Sequence, residues 1–308
     1  MTVSGGICSK GERGATKTMS IGIDTQCLQC YLRRQVETAR TLGDEATATR
    51  FAQELMAHLS KIPEHQTTVS IAPKTAEMFH RYYGLDTDRY KEEKRQSNQF
   101  FLEREHWFRA LADGAGDPVL AGLQMAILGN YLDFSALQGQ IRFDKLEEMC
   151  RDALKTALDG EALERLKADL AKAKTLLYIT DNAGEIGFDK LCAEKLKEAY
   201  PDLQITFCVR GGPALNDATR EDAEVVGIPF PVIDNGNNIP GTDLELMDPG
   251  ARVALEQADV VIAKGMANVE TLYGCGYNIY YAFLVKCPRF VGLFNKPLMS
   301  PMLIPERK

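Results

Sequence analysis

Acidic, amide and basic side chains follow several apolar runs in the C-terminal half of the sequence. Asp181 and Asn182 follow the run at 176–180, Asp217 lies shortly after a second run, and Lys264 ends another. Carboxylate and amide oxygens are hard ligands that suit Mg²⁺ or Mn²⁺, and a lysine supplies a compact positive charge for phosphate. These residue types indicate a site for a divalent metal ion and a phosphate group.

The same residues also have a purely structural interpretation. Asp181 or Asn182 is a suitable N-cap for the helix expected next, with Glu185 in the capping-box position relative to Asn182. Asn216 and Asp217 are suited to cap the following helix in the same way. The metal interpretation gains support because all of these residues are expected at one end of one sheet.

That sheet is predicted by short apolar runs that alternate with helical stretches after about residue 172. The runs lie at 176–180, 205–209, 230–233, 260–263 and 289–294. Short buried strands joined by helices are typical of a mostly parallel sheet covered on both faces. Ligands of such sheets bind beyond the carboxyl ends of the strands. The polar residues described above are expected at that edge.

The N-terminal half has a different pattern. From Asp24 to about Lys172, apolar residues recur at spacings of three and four, which predicts helices. The predicted fold class is therefore α/β. We expect a Rossmann-like, mostly parallel sheet in a three-layer α/β/α arrangement, preceded by an all-α N-terminal bundle. The expected boundaries are a flexible tail at 1–20, a helical domain at 21–172, and an α/β metal- and phosphate-binding domain at 173–308.

The four histidines all lie in the helical half, and none lies in the α/β half. A site built on the sheet edge alone therefore has no imidazole base and no histidine-rich zinc centre. The proton acceptor would be a metal-activated water or a carboxylate, for which Glu185 and Asp217 are the candidates.

Composition and missing motifs exclude several classes of protein. The chain has 308 residues and a net charge of −7, which argues against nucleic acid or an anionic membrane as the main partner, and no apolar run is long enough to span a bilayer. The P-loop, the nucleophile elbow and the dinucleotide-binding glycine motif are absent. Ala183 stands where a haloacid-dehalogenase-type phosphatase needs a second aspartate.

Cys27 and Cys30 form a lone C-x-x-C that places both thiols on one side of a helix. Free cysteines are among the most buried residue types, so the sequence favours buried core thiols, with metal or redox use as the alternative. The eight cysteines without a secretory signal indicate reduced thiols, and we expect a cytoplasmic protein.

Several segments together resemble the damage-control phosphatase family, once catalogued as domain of unknown function eighty-nine, in its prokaryotic branch with an N-terminal C-x-x-C. The matching segments are DTQCLQCYLRR (24–34), DRYKEEKRQSNQF (88–100), GNYLDF (129–134), DNAGE (181–185), RGGPALNDAT (210–219) and ADVVIAKGMANVETL (258–272). They occur in the order typical of the family, and six matching segments in the same order make the resemblance specific. The resemblance implies an α/β/α domain with a helical N-terminal part.

The resemblance also implies roles for individual residues. Asp181, Asn182 and Asp217 would be metal ligands, and Lys264 would bind the phosphate. Beside the resemblance, backbone amides near Gly265 are expected to help hold the phosphate, and Asn216 is a further candidate for substrate binding. The helical half would contribute two residues of GNYLDF that reach toward the substrate, Asn130 and Asp133. Met266 stands where the family is expected to have glutamine, and this departure leaves the reaction class unchanged.

The predicted function is a metal-dependent phosphatase that hydrolyses a small phosphorylated metabolite with the help of Mg, Mn, Co or Ni. Asp217→Asn is expected to abolish phosphate release and to leave the fold intact. One alternative is an S-adenosylmethionine-dependent carboxyl methyltransferase on the same Rossmann-like sheet. Another is a metal or nucleotide sensor without catalytic activity.

Overall fold

The structure is a computed structural model that describes residues 21–86, 88–130 and 143–306. Within these ranges, helices occupy most of the chain before the first strand. They are α1 (Thr25–Leu42), α2 (Glu45–Leu59), a 3₁₀ turn (Thr68–Ile71), α3 (Ala72–Tyr83), α4 (Lys91–Leu102), α5 (Glu105–Asp113), α6 (Pro118–Gly129), α7 (Phe143–Ala153) and α8 (Gly160–Leu170). The helical pattern predicted for this half is confirmed.

Aspartates start several of these helices. The Asp24, Asp44, Asp117 and Asp159 side chains accept hydrogen bonds from backbone amides in the first turns of α1, α2, α6 and α8, over 2.7–3.1 Å. Each cap satisfies an amide that has no partner within its own helix, and the negative charge suits the positive end of the helix dipole.

Among the helices of the described ranges, none is both long enough and apolar enough to cross a membrane.

The second half alternates strands with helices. The strands are β1 (Thr175–Ile179), β2 (Gln204–Val209), β3 (Val232–Asp234), β4 (Val260–Lys264), β5 (Ile279–Leu284) and β6 (Pro301–Pro305). The helices are α9 (Glu185–Ala199), α10 (Arg220–Val225), α11 (Pro249–Gln257), α12 (Gly265–Leu272) and α13 (Pro288–Phe294). The strand order is β3-β2-β1-β4-β5-β6, with every pair parallel except the antiparallel pair β5–β6.

One strand assignment and one helix assignment made from the sequence need correction. The run at 289–294 is not a strand but lies in α13, which begins with Pro288 in its first turn and ends at Asn295 in a left-handed conformation. Proline suits the first turn of a helix, and an αL residue is a common helix terminator. The segment predicted as helical after Lys264 contains β5, whose six residues are all buried.

Side chains of the strands alternate between two cores, one on each face of the sheet. Tyr178 and Phe207 face α6, α8 and α9, whereas Ile179 and Val261 face α11, α12 and α13. Two helical layers with a sheet between them make a three-layer α/β/α fold, so the predicted fold class is confirmed. The antiparallel strand β6 was not predicted.

Helices of the N-terminal half divide among three packing environments, one of which joins α4, α5, α6, α7 and α9 around Phe101, Phe108 and Phe188. α6 and α8 belong to the core on one face of the sheet, while α1, α2 and α3 enclose a separate small core around Phe51 and Phe79. Aromatic rings at 4.6 Å between centroids hold that small core together. The helices α1–α3 thus form a part of the helical half that has its own core. The domain boundary at residue 172 stays a prediction.

Candidate functional site

The strand order reverses between β1 and β4, which lie side by side in the centre of the sheet. β1 continues to β2 and β3 on one side, and β4 continues to β5 and β6 on the other. The loops that leave the two central strands therefore separate and open a crevice at the carboxyl edge. Asp181 and Asn182 follow β1 directly, and Gly265 follows β4 directly.

The second predicted acidic segment reaches the same place. Asn182 and Asp217 form an isolated antiparallel bridge, and the Ala218 amide donates a hydrogen bond to the Asp181 carbonyl oxygen over 2.8 Å. In the same loop, the Ala183 amide donates to the Asn216 carbonyl oxygen over 2.9 Å. The structure thus brings together the residues predicted as metal ligands, although their role stays a prediction.

Two amide side chains bridge the acidic groups of the site. Asn130, at the end of α6, donates from Nδ2 to Asp181 Oδ2 and to Glu185 Oε2, each over 2.8 Å. Asn182 Nδ2 donates to the same two oxygens over 2.9 and 3.1 Å. The helical half therefore reaches the site through Asn130 as predicted. The other predicted contribution, Asp133, lies outside the described residues.

Gly265 is the residue that lets the backbone approach Asp181. Its φ is +76°, and a Cβ added there would lie 2.0 Å from Asp181 Oδ2. Any side chain would displace the carboxylate, and the left-handed φ would strain it as well. Gly265 is thus placed beside Asp181, in the site where substrate contact was predicted.

Arg210 lies under the site and was not predicted. It follows β2 and is almost completely buried. Its Nε donates to Asp217 Oδ2 over 2.7 Å, and its Nη2 donates to the Thr180 carbonyl oxygen over 3.1 Å. Arg210 therefore fixes one oxygen of Asp217, and no donor among the described residues reaches the other oxygen.

Lys264 does not lie where a phosphate ligand was predicted. It is completely buried, and Nζ donates to the Ala126 carbonyl oxygen, Glu185 Oε1 and Asp189 Oδ1 over 2.6–2.8 Å. An ammonium group has three donors, so these three partners occupy all of them. In this arrangement Lys264 holds Glu185 from the interior of the protein and has no N–H left for a phosphate oxygen.

The capping interpretation is wrong for both acidic segments. α9 starts at Glu185 after Gly184, which has a φ of +78° and supplies no side-chain cap. α10 is capped by Thr219 in a capping box with Asp222. The side chain of Asp181 accepts from the side-chain amides of Asn130 and Asn182 instead of helix amides. Its position in the crevice therefore has no role in starting a helix.

The C-x-x-C also differs from the favoured interpretation. Cys30 is exposed and Cys27 is half-buried, so the prediction of buried core thiols is wrong. Cys27 Sγ accepts a hydrogen bond from Arg289 Nη1 over 3.0 Å. Both thiols line one cavity, as expected from their spacing on α1.

Buried negative charge dominates the electrostatics of the site. Burial raises the pKa of Asp181 well above its ordinary value, and the carboxylates of Glu185 and Asp217 raise it further. Burial also raises the pKa of Asp217, although the charge of Arg210 opposes the effect. A cation bound between these carboxylates would relieve both effects.

The donor set fits a hard divalent ion. The buried groups joined by the contacts above are four carboxylates and two cations, which leave a formal charge of −2: Asp181, Glu185, Asp189 and Asp217 against Lys264 and Arg210. In addition, Asn130 Oδ1 is buried without a hydrogen-bond partner. In the described ranges no three His, Cys, Asp or Glu side chains form a metal centre, but the predicted ligand set contains only two carboxylates and one amide.

Residues 23–300 match the family model of the damage-control phosphatase ARMT1-like domain. The chain belongs to this family. An uncharacterized protein of Methanocaldococcus jannaschii is 31% identical over 281 residues, which cover 87% of this chain and 90% of that protein. A damage-control phosphatase of Archaeoglobus fulgidus is 29% identical over 273 residues, covering 86% of this chain and 92% of that protein.

Solved structures give the same assignment. The crystal structure of a duf89 family protein from Pyrococcus horikoshii matches with a TM-score of 0.78 and 26% identity, covering 93% of this chain and 99% of that chain. A damage-control phosphatase of the same organism is 35% identical over 170 residues, or 54% of this chain and 58% of that protein. The resemblance to the damage-control phosphatase family is confirmed.

Sequence reasoning missed Arg210 and Asp189. Asp189 lies four residues after Glu185, so the two carboxylates share one face of α9, and this spacing was a usable signal. Arg210 directly follows a buried strand, but sequence alone does not show whether its side chain turns inward. Arg210 pairs with Asp217, and Asp189 pairs with Lys264, which also pairs with Glu185.

Proposed function

We propose that this member of the damage-control phosphatase family is a metal-dependent phosphatase that hydrolyses a small phosphorylated metabolite. The observation that carries the proposal is the convergence of Asp181, Asn182 and Asp217 at the crevice between β1 and β4. The excess buried negative charge at this place supports a divalent cation there.

Asp181, Asn182 and Asp217 would hold the metal ion, and the unpartnered Oδ1 of Asn130 is a further oxygen near it. When bound, a divalent ion would supply positive charge that neutralises a phosphate and activates water. The backbone amides that start α12 at Gly265 and α9 at Glu185 would hold phosphate oxygens. Mg, Mn, Co and Ni all remain candidates for this role.

The remaining buried residues would keep the ligands in place. Arg210 fixes Asp217 Oδ2, and the amides of Asn130 and Asn182 fix Asp181 Oδ2. Lys264 connects Glu185 to Asp189 through two ion pairs of 2.7 and 2.6 Å. A site held in this way needs little rearrangement when substrate binds, and such preorganisation is a main source of catalytic stabilisation.

Of the two candidate proton acceptors, Asp217 is the better placed. Both oxygens of Glu185 already accept hydrogen bonds, from Lys264 at Oε1 and from two amides at Oε2. One oxygen of Asp217 has no donor among the described residues. This preference rests on the free oxygen alone, because a bound metal ion would oppose the rise that burial causes in the pKa of Asp217.

The names of two relatives support the same reaction class. The proteins of Archaeoglobus fulgidus and Pyrococcus horikoshii described above are both named damage-control phosphatases. The carboxyl methyltransferase alternative would use the same crevice, but no feature of the described residues favours it over the phosphatase.

Phosphate release tests the proposal. The purified protein would be assayed with a panel of phosphorylated metabolites, with Mg²⁺, Mn²⁺, Co²⁺ or Ni²⁺ and with chelator. We expect release with at least one metal, none with chelator, and a loss of roughly 100-fold or more in Asp181→Asn. S-adenosylmethionine binding would be measured in parallel by calorimetry.

Asp44→Asn is the matched control, because Asp44 caps α2 at the surface and asparagine is an equally good N-cap. It should leave activity unchanged. The phosphatase proposal is rejected if no metal supports release from any member of the panel. Tight S-adenosylmethionine binding together with that result would favour the methyltransferase.

A further inference from the structure

A cavity of about 740 Å³ lies between the helical half and the loops of the sheet edge. α1 and α3 form one wall, and the opposite wall includes Pro213–Leu215 and Met266. Residues 213–215 lead into Asp217, and Met266 follows Gly265 directly. The cavity therefore adjoins both loops that carry the proposed reaction centre, and its volume is within the range of small-molecule sites.

Four arginines line this cavity, although the chain as a whole is acidic: Arg33, Arg34, Arg89 and Arg289. Two of them have carboxylate partners. Arg33 pairs with Glu37 at 3.7 Å, and Arg289 pairs with Asp24 at 3.1 Å. Within the described part of the chain, Arg34 and Arg89 have no carboxylate partner.

The guanidinium of Arg89 is held in a fixed position. It lies 4.8 Å from the ring centroid of Phe79 and 4.8 Å from that of Tyr90, and its Nη2 donates to Tyr90 Oη over 2.9 Å. Stacking on aromatic rings orients the planar group without neutralising its charge. Its other N–H groups have no acceptor among the described residues, so they remain available to a ligand.

Arg34 lies on the same part of the cavity wall. It is three residues after Tyr31 on α1, so both side chains share one face of the helix. Burial raises the pKa of Tyr31 to about 12, and the positive charges of Arg89 and Arg34 both oppose that rise. The two guanidinium groups therefore act on one hydroxyl group, which itself donates to Thr75 Oγ1 over 2.8 Å.

Arg34 is exposed and Arg89 is half-buried, so both guanidinium groups are accessible to a ligand in the cavity and can make charge-assisted hydrogen bonds to an anion. We propose that this cavity binds the non-reacting end of the substrate, and that Arg34 and Arg89 bind a second anionic group there. The preferred substrates are then phosphomonoesters that carry an additional carboxylate or phosphate. This assignment rests on the proposed phosphatase function, which supplies the reacting phosphate at the neighbouring crevice.

Binding to the protein loaded with a divalent ion that supports no phosphate release tests the subsite without any catalytic step. Three six-carbon probes would be titrated by calorimetry: glucose 6-phosphate, 6-phosphogluconate with an added carboxylate, and glucose 1,6-bisphosphate with an added phosphate. We expect Arg89→Gln and Arg34→Gln to weaken binding of one or both bis-anionic probes at least ten-fold. Binding of glucose 6-phosphate should change less than two-fold. The probe with the larger loss identifies the preferred anion.

Arg95→Gln is the matched control, since Arg95 is exposed, pairs with Glu92 at 2.7 Å and does not line the cavity. It should bind all three probes like the wild type. Arg89→Lys keeps the charge but loses the stacked plane, so its affinities should fall between those of the wild type and Arg89→Gln. Circular dichroism melting of each variant shows whether the fold is retained, and Arg34→Gln tests the subsite independently if Arg89→Gln does not fold.

Steady-state kinetics separate this inference from the proposed function. The expected result is a KM for the bis-anionic probes that rises at least ten-fold in Arg89→Gln, with kcat/KM for glucose 6-phosphate unchanged. Equal binding and equal KM in wild type and both glutamine variants would overturn the subsite even if the phosphatase is active. Retained discrimination in binding, with no hydrolysis under any metal, would keep the subsite and overturn the phosphatase.

Discussion

The ion pair between Arg210 and Asp217 is the residue-level feature that most affects experiments on this site. The Arg210 side chain has no exposed surface, and that of Asp217 is 5% exposed. Removing one partner of a buried ion pair leaves the other charge uncompensated, which costs about 3–5 kcal/mol. The loss of activity expected on substituting Asp217 would therefore be mixed with a loss of stability.

We expect Asp217→Asn to reduce the free energy of unfolding by on the order of 3 kcal/mol, because Arg210 keeps its charge and loses its counter-ion. Asp181→Asn should change it by less than about 1 kcal/mol, since asparagine still offers an oxygen to the amides of Asn130 and Asn182. Urea unfolding of the metal-free proteins measures both. Equal stability of the two variants would show that the Arg210 pair does not support the fold. The sequence-based expectation is that Asp217→Asn leaves the fold intact. Comparing the unfolding free energies of the two variants tests that expectation.

At the scale of elements, the junction between β4 and α12 has two functions in consecutive residues. The side chain of Lys264 extends into the interior toward α6 and α9, while the backbone of Gly265 packs on the Asp181 carboxylate. A strand that ends in a buried cation and a helix that begins with a glycine thus position both sides of the crevice. Changes at Gly265 should affect metal binding more than they affect folding, whereas a change at Lys264 would also break two buried ion pairs.

Gly265→Ala should lower metal affinity and activity at least ten-fold, because the new methyl group would push Asp181 away from its position. Its cost in unfolding free energy should be about 1–2 kcal/mol, the usual range for a non-glycine residue at positive φ. Gly84→Ala is the control, since its φ is +68° and nothing lies within 4 Å of an added Cβ. It should lose similar stability and keep its metal affinity, measured by calorimetry. A similar loss of affinity in both variants would refute the role of close packing at Gly265.

Strand and helix patterns predicted the architecture well where local signals agree with the fold. β1, β2, β3 and β4 lie within two residues of the predicted runs, because buried parallel strands are continuous apolar segments. The run at 289–294 failed because apolar composition does not distinguish a short buried strand from a short buried helix. Pro288, a first-turn residue of helices, was the overlooked signal.

Prediction of the site had a different limit. The convergence of Asp181 and Asp217 followed from the rule about strand ends, which needs only the order of elements. The inward direction of Lys264 and the pairing of Arg210 depend on side-chain packing against α6 and across the sheet edge. Such long-range contacts leave no periodic signal in the sequence, so the role predicted for Lys264 did not match its position.

For the molecule as a whole, the buried acidic groups make global stability depend on pH. Burial raises the pKa of Asp189 to about 7, despite the opposing charge of Lys264. The unfolded carboxyl loses its proton near pH 4, so the folded state binds more protons between about pH 4 and pH 7. The free energy of unfolding therefore falls as pH rises through this window and levels above it.

Asp189→Asn should remove this dependence, since it keeps an oxygen for Lys264 and Tyr178 but carries no charge. The stability of the variant relative to wild type should rise from about pH 4 to pH 7, with a slope of up to about 1.4 kcal/mol per pH unit, and then stay constant. Denaturant unfolding at several pH values measures it. Parallel profiles for the two proteins would show that Asp189 titrates normally in the fold.

The antiparallel strand β6 has a consequence for the behaviour of the protein in concentrated solution. It covers the outer edge of β5, whose sequence IYYAFL is uncharged, rich in aromatic residues and fully buried. β6 itself has a proline at each end, and proline offers no N–H for a further strand. Deleting residues 301–306 would uncover a segment suited to cross-β stacking between molecules. Such a truncated chain should form aggregates, detectable by light scattering, under conditions where the full chain stays dispersed.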